Sequence, residues 1–144
     1  MIGISLEHAD KLVTAALAHG RQLGLAPLTV AVLDAGGHYV VLKREDESGI
    51  LRAEIAFGKA WGALGMGLDS RVLAERAQQL PSFYAALGNA SGGRIVPAAG
   101  GVLILDEKRR VIGAVGISGD SSANDEACCL AGIAAAGLQS RIAP

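Results

Sequence analysis

The sequence predicts an α+β domain, an antiparallel sheet of four to five strands with helices packed on it. Two short apolar pairs carry that expectation. Residues 28–33 pair with 39–42 across Asp34-Ala35-Gly36-Gly37-His38, and 101–105 pair with 111–117 across Asp106-Glu107-Lys108-Arg109-Arg110. Short turns between β-branched runs imply hairpins, and hairpins imply antiparallel neighbours. Helical spacing fills the chain before, between and after the two pairs, so the order is helix, hairpin, helices, hairpin, helix. That is not the βαβ alternation of a parallel nucleotide-binding fold. The 144 residues are read as a single domain, 1–144, long enough to bury roughly 70% of the unfolded surface without disulfides or a structural metal.

Each element has a local cause. Ser5 caps a first helix in which Leu6, Ala9, Leu12, Val13, Ala16 and Leu17 recur at helical spacing, and Gly24 stops it. The glycines of the first turn supply positive φ. Lys43 to Gly49 is charged and reads as an exposed loop. A second helix follows from about Ile50 to Gly65, with Gly58 and Gly62 allowing close backbone approach. Asp69 or Ser70 caps a short third helix to Gln79, Pro81 interrupts before Phe83 to Leu87, and Asn89 to Gly93 is turn-rich. From Ser121 or Ser122 an alanine-rich last helix runs to about Gln139.

Composition narrows the function. Hydrophobic residues make up 51% of the chain but aromatics only 3%, so the core is aliphatic and small. Thirteen basic against fourteen acidic residues give a net charge of −1, which argues against nucleic acid, and the few aromatics leave little for base stacking. The two cysteines, Cys128 and Cys129, are adjacent and form neither a zinc spacing nor a disulfide framework; they read as small core residues of a protein in a reducing cytosol. No signal peptide and no apolar run of spanning length is visible, so a cytoplasmic location without a membrane partner is expected. No metal spacing is present either.

Two groups of residues could carry chemistry. The string Gly113-Ala114-Val115-Gly116-Ile117-Ser118-Gly119 leads from a strand into the last helix, where backbone N–H groups and the helix end can hold an anion; the glycines can equally serve tight packing. Asp34, His38, Arg44, Asp46 and Lys59 are the polar groups expected to converge, because a hairpin returns His38 to Asp34 and the next helix folds Lys59 over the sheet. Taken singly, Lys59 reads as a solvated helix residue and Arg44 with Asp46 as a surface ion pair. Together they suit a carboxylate-bearing ligand, with Arg44 as the forked anchor. His19 shares the stripe of Leu12 and Ala16 on the first helix, while His8 lies off it.

Several of these strings resemble a known family. Val32-Leu33-Asp34-Ala35-Gly36-Gly37-His38, Arg44-Glu45-Asp46, Lys59-Ala60, Gly100-Gly101-Val102, the Gly113 to Gly119 string and Asp125-Glu126 are together similar to the GlcG/HbpS family, which includes the C-terminal domain of PduO-type proteins. The likeness covers nearly the whole chain in order. It implies a profilin- or PAS-like sheet with the terminal helices on one side, and homo-oligomers from dimer to octamer. It also implies haem binding and, for some members, haem degradation. Glu45 stands where the family carries methionine.

Two functions follow. In the first, a haem-binding protein, His19 or His38 ligates iron and Arg44 or Lys59 engages a propionate. In the second, a catabolic lyase, hydrolase or isomerase acts on a small hydroxy-, halo- or heteroaromatic acid at a subunit interface. There Asp34, His38, Lys59 and Asp125 would be the acid–base groups, and Arg44 with the Gly116, Ser118 and Gly119 backbone would hold the anion.

Overall fold

The computed structural model describes residues 3–142. Nine elements follow in order: α1 (Leu6–Gln22), β1 (Thr29–Asp34), β2 (Tyr39–Arg44), α2 (Arg52–Met66), α3 (Ser70–Gln79), α4 (Pro81–Ala90), β3 (Gly101–Leu105), β4 (Val111–Ser118) and α5 (Ser122–Ala135). The strands form one antiparallel sheet in the order β2-β1-β4-β3. The α+β architecture and both hairpins are as the sequence predicts. Each hairpin supplies one central and one edge strand.

The sheet is sandwiched. On one face, Val30, Val32, Val102, Ile104, Val115 and Ile117 meet Leu12, Val13 and Ala16 of α1 and Cys128, Cys129 and Ile133 of α5. On the other, Leu33, Leu103 and Ala114 meet Ala60 and Ala63 of α2. Burial on both faces explains why β1 and β3 read as continuous apolar runs, without polar alternation. The terminal helices do share one side. Among the described residues no helix is long and apolar enough to cross a membrane.

Four local expectations need correcting. Pro81 does end α3 at Gln79, with Leu80 outside the helical region, but it also opens α4, because at a first helical position its missing N–H is no loss and its fixed φ suits the helix. Three helices therefore lie between the hairpins, and α4 runs into the stretch read as turn. The last helix stops at Ala135, before Gln139. Gly137 takes φ +73°, Leu138 N–H donates to Ile133 O and Gly137 N–H to Ala134 O, the doubled closure that ends a helix at a left-handed glycine. Lys43 and Arg44 belong to β2, and Ser48 is buried, its hydroxyl 2.8 Å from that of Thr29.

The two margins of the sheet differ. Along β3 every outward amide has a partner: Gly101 N–H donates to Ser70 Oγ at 2.7 Å, Leu103 N–H to Asp69 Oδ1 at 2.8 Å and Leu105 N–H to Gln139 O at 2.8 Å. The start of α3 and the segment after α5 thus close that side. Asp69→Ala is expected to cost about 1–3 kcal/mol in urea unfolding, since it strands the buried Leu103 amide; an unchanged midpoint would show that the amide finds another acceptor.

Candidate functional site

Antiparallel pairing of β1 with β4 sends the two glycine-bearing bends to opposite ends of the sheet. Asp34 pairs with Gly113 at one end and Thr29 with Ser118 at the other. At roughly 3.3 Å per residue the length of β1 separates them by about 17 Å. Within one chain, the expected convergence of Asp34 and His38 with Arg44, Lys59 and the glycine string therefore does not occur.

At the Ser118 end the polar groups are interior. Lys59 of α2 is not solvated: its side chain is 4% exposed, and its Nζ donates to Ile117 O at 2.9 Å and to Asp125 Oδ2 at 3.2 Å. Asp125 on α5, 1% exposed, also accepts the Asp120 N–H at 3.0 Å through Oδ1. This pair joins α2, β4 and α5 through the core. Beside it, Arg52 donates to Ser118 Oγ at 3.0 Å. A propionate or a substrate acid has no route to Lys59 here, because its partners are already internal.

The glycine string serves packing in this arrangement. Gly116 lies in the middle of β4, paired on both sides with Ala31 and Gly101, so its backbone is committed to the sheet. A Cβ there would run into the Ala56 carbonyl of α2, and one on Gly119 into the Pro27 carbonyl. The positive end of α5 is also filled from within. Asp120 accepts from Ser121 N–H, Asn124 Nδ2 and Ala26 N–H, and these bonds, led by that of Asn124, hold its carboxyl down to about 2. The anion at this helix end is the chain's own carboxylate, a role that its place just before the Ser121 cap could have signalled.

Arg44, at the exposed end of β2, shares a cleft of about 480 Å³ with Arg21, Glu45, Asp46 and Glu47. No Arg44–Asp46 ion pair forms among the described residues. Instead Glu45 accepts from Leu28 N–H at 2.8 Å and pairs with Arg21 at 3.1 Å. Glu45 thus ties the end of β2 to the entry of β1. His19 is half-buried in the last turn of α1.

The other end is open. Asp34 Oδ1 accepts from Gly36 N–H at 2.9 Å and His38 N–H at 3.0 Å, and lies 3.3 Å from His38 Nδ1. The His38 amide, against the opposing effect of burial and helped by the Gly36 amide and the imidazole, holds the Asp34 carboxyl below its usual range. Gly37 turns the chain at φ +84°. The bend borders a cavity of about 510 Å³ walled by Ile4, Leu6, Tyr39 and Val40, within the roughly 300–1,000 Å³ usual for small-molecule sites. Cys128 and Cys129 are far from this role: both are fully buried, and burial pushes the Cys128 thiol up to about 11 and raises that of Cys129 well above its usual value.

A two-layered helix cover on a four-stranded antiparallel sheet, with an apolar cavity and an oriented imidazole at one end, defines a small ligand-binding domain. Comparison with known proteins is more specific: residues 4–134 match the family described as haem degrading protein HbpS-like, and the chain belongs to that family. A 15.0 kDa protein of the dhaT-dhaS intergenic region of Citrobacter freundii is 31% identical over 123 residues, 85% of this chain and 84% of the relative. The corrinoid adenosyltransferase PduO of Salmonella typhimurium is 29% identical over 124 residues, 86% of this chain but only 36% of its own length. Among solved structures, that of the PduOC:heme complex superposes with a TM-score of 0.87 at 28% identity, covering 98% of this chain and 100% of the other.

Proposed function

We propose that this protein binds haem at the His38 end of the sheet. The observation that carries the reading is the Asp34–His38 contact. With Nδ1 held by a carboxylate, the imidazole can offer Nε2 to a metal, the way an outer carboxylate usually orients a ligating histidine. Ile4, Leu6, Tyr39 and Val40 supply apolar walls for a macrocycle, and a relative of the same fold is known as a haem complex. When bound, haem would supply redox and oxygen chemistry; His38 would hold the iron and Asp34 would fix the imidazole's orientation and tautomer.

Titration of the purified protein with haemin tests this. A saturable, shifted Soret band is expected, with the affinity lowered at least about tenfold by His38→Ala and unchanged by His19→Ala. Binding that survives His38→Ala intact overturns the ligand assignment. Asp34→Ala should weaken binding about 10- to 100-fold while leaving the Soret position that of a histidine complex. The family's description extends to haem degradation, and the second half of the proposal is that bound haem is consumed when oxygen and a reductant such as ascorbate are supplied. A Soret band stable under those conditions defeats that half alone.

We also read the chain as a homo-oligomer, as the family resemblance implies. The four acid–base candidates Asp34, His38, Lys59 and Asp125 do not form one site in a single chain, and Lys59 with Asp125 is buried in the core, so a catabolic enzyme working at a subunit interface would be left with Asp34 and His38.

A further inference from the structure

We infer, on the reading that haem binds at His38, that Arg110, seconded by His8, binds one of its propionates. Arg44 is not placed for that task, because it pairs with Thr29 at the far end of β1. The turn of the second hairpin, by contrast, lies at the Asp34 end of the sheet: it runs straight into β4, whose Gly113 pairs with Asp34. The two turns are also built alike. Asp34 Oδ1 accepts the amides two and four residues on, those of Gly36 and His38, and Asp106 Oδ1 accepts those of Lys108 and Arg110. Asp34 N–H donates to His38 O and Asp106 N–H to Arg110 O, and the residue just before, Gly37 or Arg109, takes positive φ. His38 and Arg110 therefore hold the same place in equivalent turns, each side chain folded back on its aspartate.

The second turn borders its own cavity, of about 450 Å³, which shares Gly3, Ile4 and Ser5 with the cavity at His38. Ile4 N–H donates to Ile112 O at 2.9 Å and ties that shared wall to β4. Asp106 Oδ2 accepts from Arg110 Nε at 2.8 Å, which fixes the guanidinium plane, while no acceptor meets its two Nη groups among the described residues. A carboxylate matches that fork. Ser5 Oγ accepts the His8 N–H at 3.1 Å, so its own proton can go to His8 Nδ1, 3.0 Å away; the neutral imidazole then carries its proton on Nε2 as a further donor. The charge balance suits an anion. Residues 106–110 hold three bases against two acids, Glu107 at the cavity included, and α1 turns its positive end to the same wall at Ser5. Ile112 and Leu138 add an apolar floor. From β2 to β4 is two strand spacings, roughly 10 Å, so the imidazole and the guanidinium stand apart, as the iron and the rim acids of a haem do.

Titration of the full chain with haemin and, separately, with iron protoporphyrin dimethyl ester, whose acids are masked, tests this role. The wild type should bind haemin more tightly than the ester. Arg110→Gln, at a side chain 58% exposed, should weaken haemin binding at least about tenfold and His8→Ala by a smaller factor, with the far-ultraviolet spectrum and the Soret position unchanged. Affinity for the ester should be the same in Arg110→Gln as in the wild type. Lys108→Gln removes the same charge from the same turn but does not border the cavity, and should leave haemin binding within about twofold of the wild type. Haemin affinity unaltered in Arg110→Gln, or a loss equally large for the ester or in Lys108→Gln, overturns the role of Arg110 and leaves the His38 site standing. Unaltered affinity in His8→Ala overturns the part given to His8. Haemin binding that survives His38→Ala intact defeats the His38 site, and this subsite with it.

Discussion

Asp125→Ala is expected to lower the unfolding free energy by about 3–5 kcal/mol, a large share of the roughly 5–15 kcal/mol typical of a domain. The magnitude follows from what is left behind. Lys59 would keep its ammonium inside the core with only Ile117 O as partner, in a site sealed by α2, β4 and α5. Its desolvation would no longer be offset by a carboxylate. Asp120 N–H would also lose its acceptor. Urea unfolding of the single variants Asp125→Ala and Lys59→Met, and of the double variant, separates the pair from its parts. The double variant should be markedly more stable than the sum of the singles predicts, because no charge is then buried alone. Additive losses would mean that the two groups do not interact across the core, contrary to their 3.2 Å separation.

Gly116→Ala should come second, at about 1–3 kcal/mol or more. The added methyl would meet the Ala56 carbonyl first, then Ala56 C and Ala60 N, all of them backbone atoms of α2. No side chain can rotate out of the way, so the helix must lift from the sheet and open the contacts of Ala60 and Ala63 with Ala114. Gly88→Ala is the matched control. It lies within α4 with nothing within 4 Å of the added carbon, and it should be neutral or stabilising by about 0.4–1 kcal/mol. Equal effects at the two positions would remove the packing explanation of the glycine string.

The hairpins were legible in the sequence because their cause is local: apolar runs, a turn between them, and the glycine that lets Gly37 bend. So were the caps at Ser5 and Ser121, each accepting an amide N–H from three residues on. The helix opened by Pro81 was not, because α4 buries little beyond Tyr84 and so lacks a clear apolar stripe. The site was harder still. That Asp34 and His38 meet follows from a short turn; that Lys59 is interior depends on Asp125, 66 residues away, which no periodicity announces. The separation of the two bends comes from the long-range pairing of β1 with β4, which places one chain reversal at each end.

The unlike margins of the sheet also set a limit on growth. Strand addition can proceed only from β2, since Ser70, Asp69 and Gln139 already occupy the hydrogen-bonding positions along β3. A second copy joined there would present only its own closed β3 margin, so such an association would stop at a pair instead of propagating into a fibre. Losing Asp69 would bare the Leu103 amide alone, since the Gly101 and Leu105 amides would keep Ser70 and Gln139, so the β3 margin would stay largely closed.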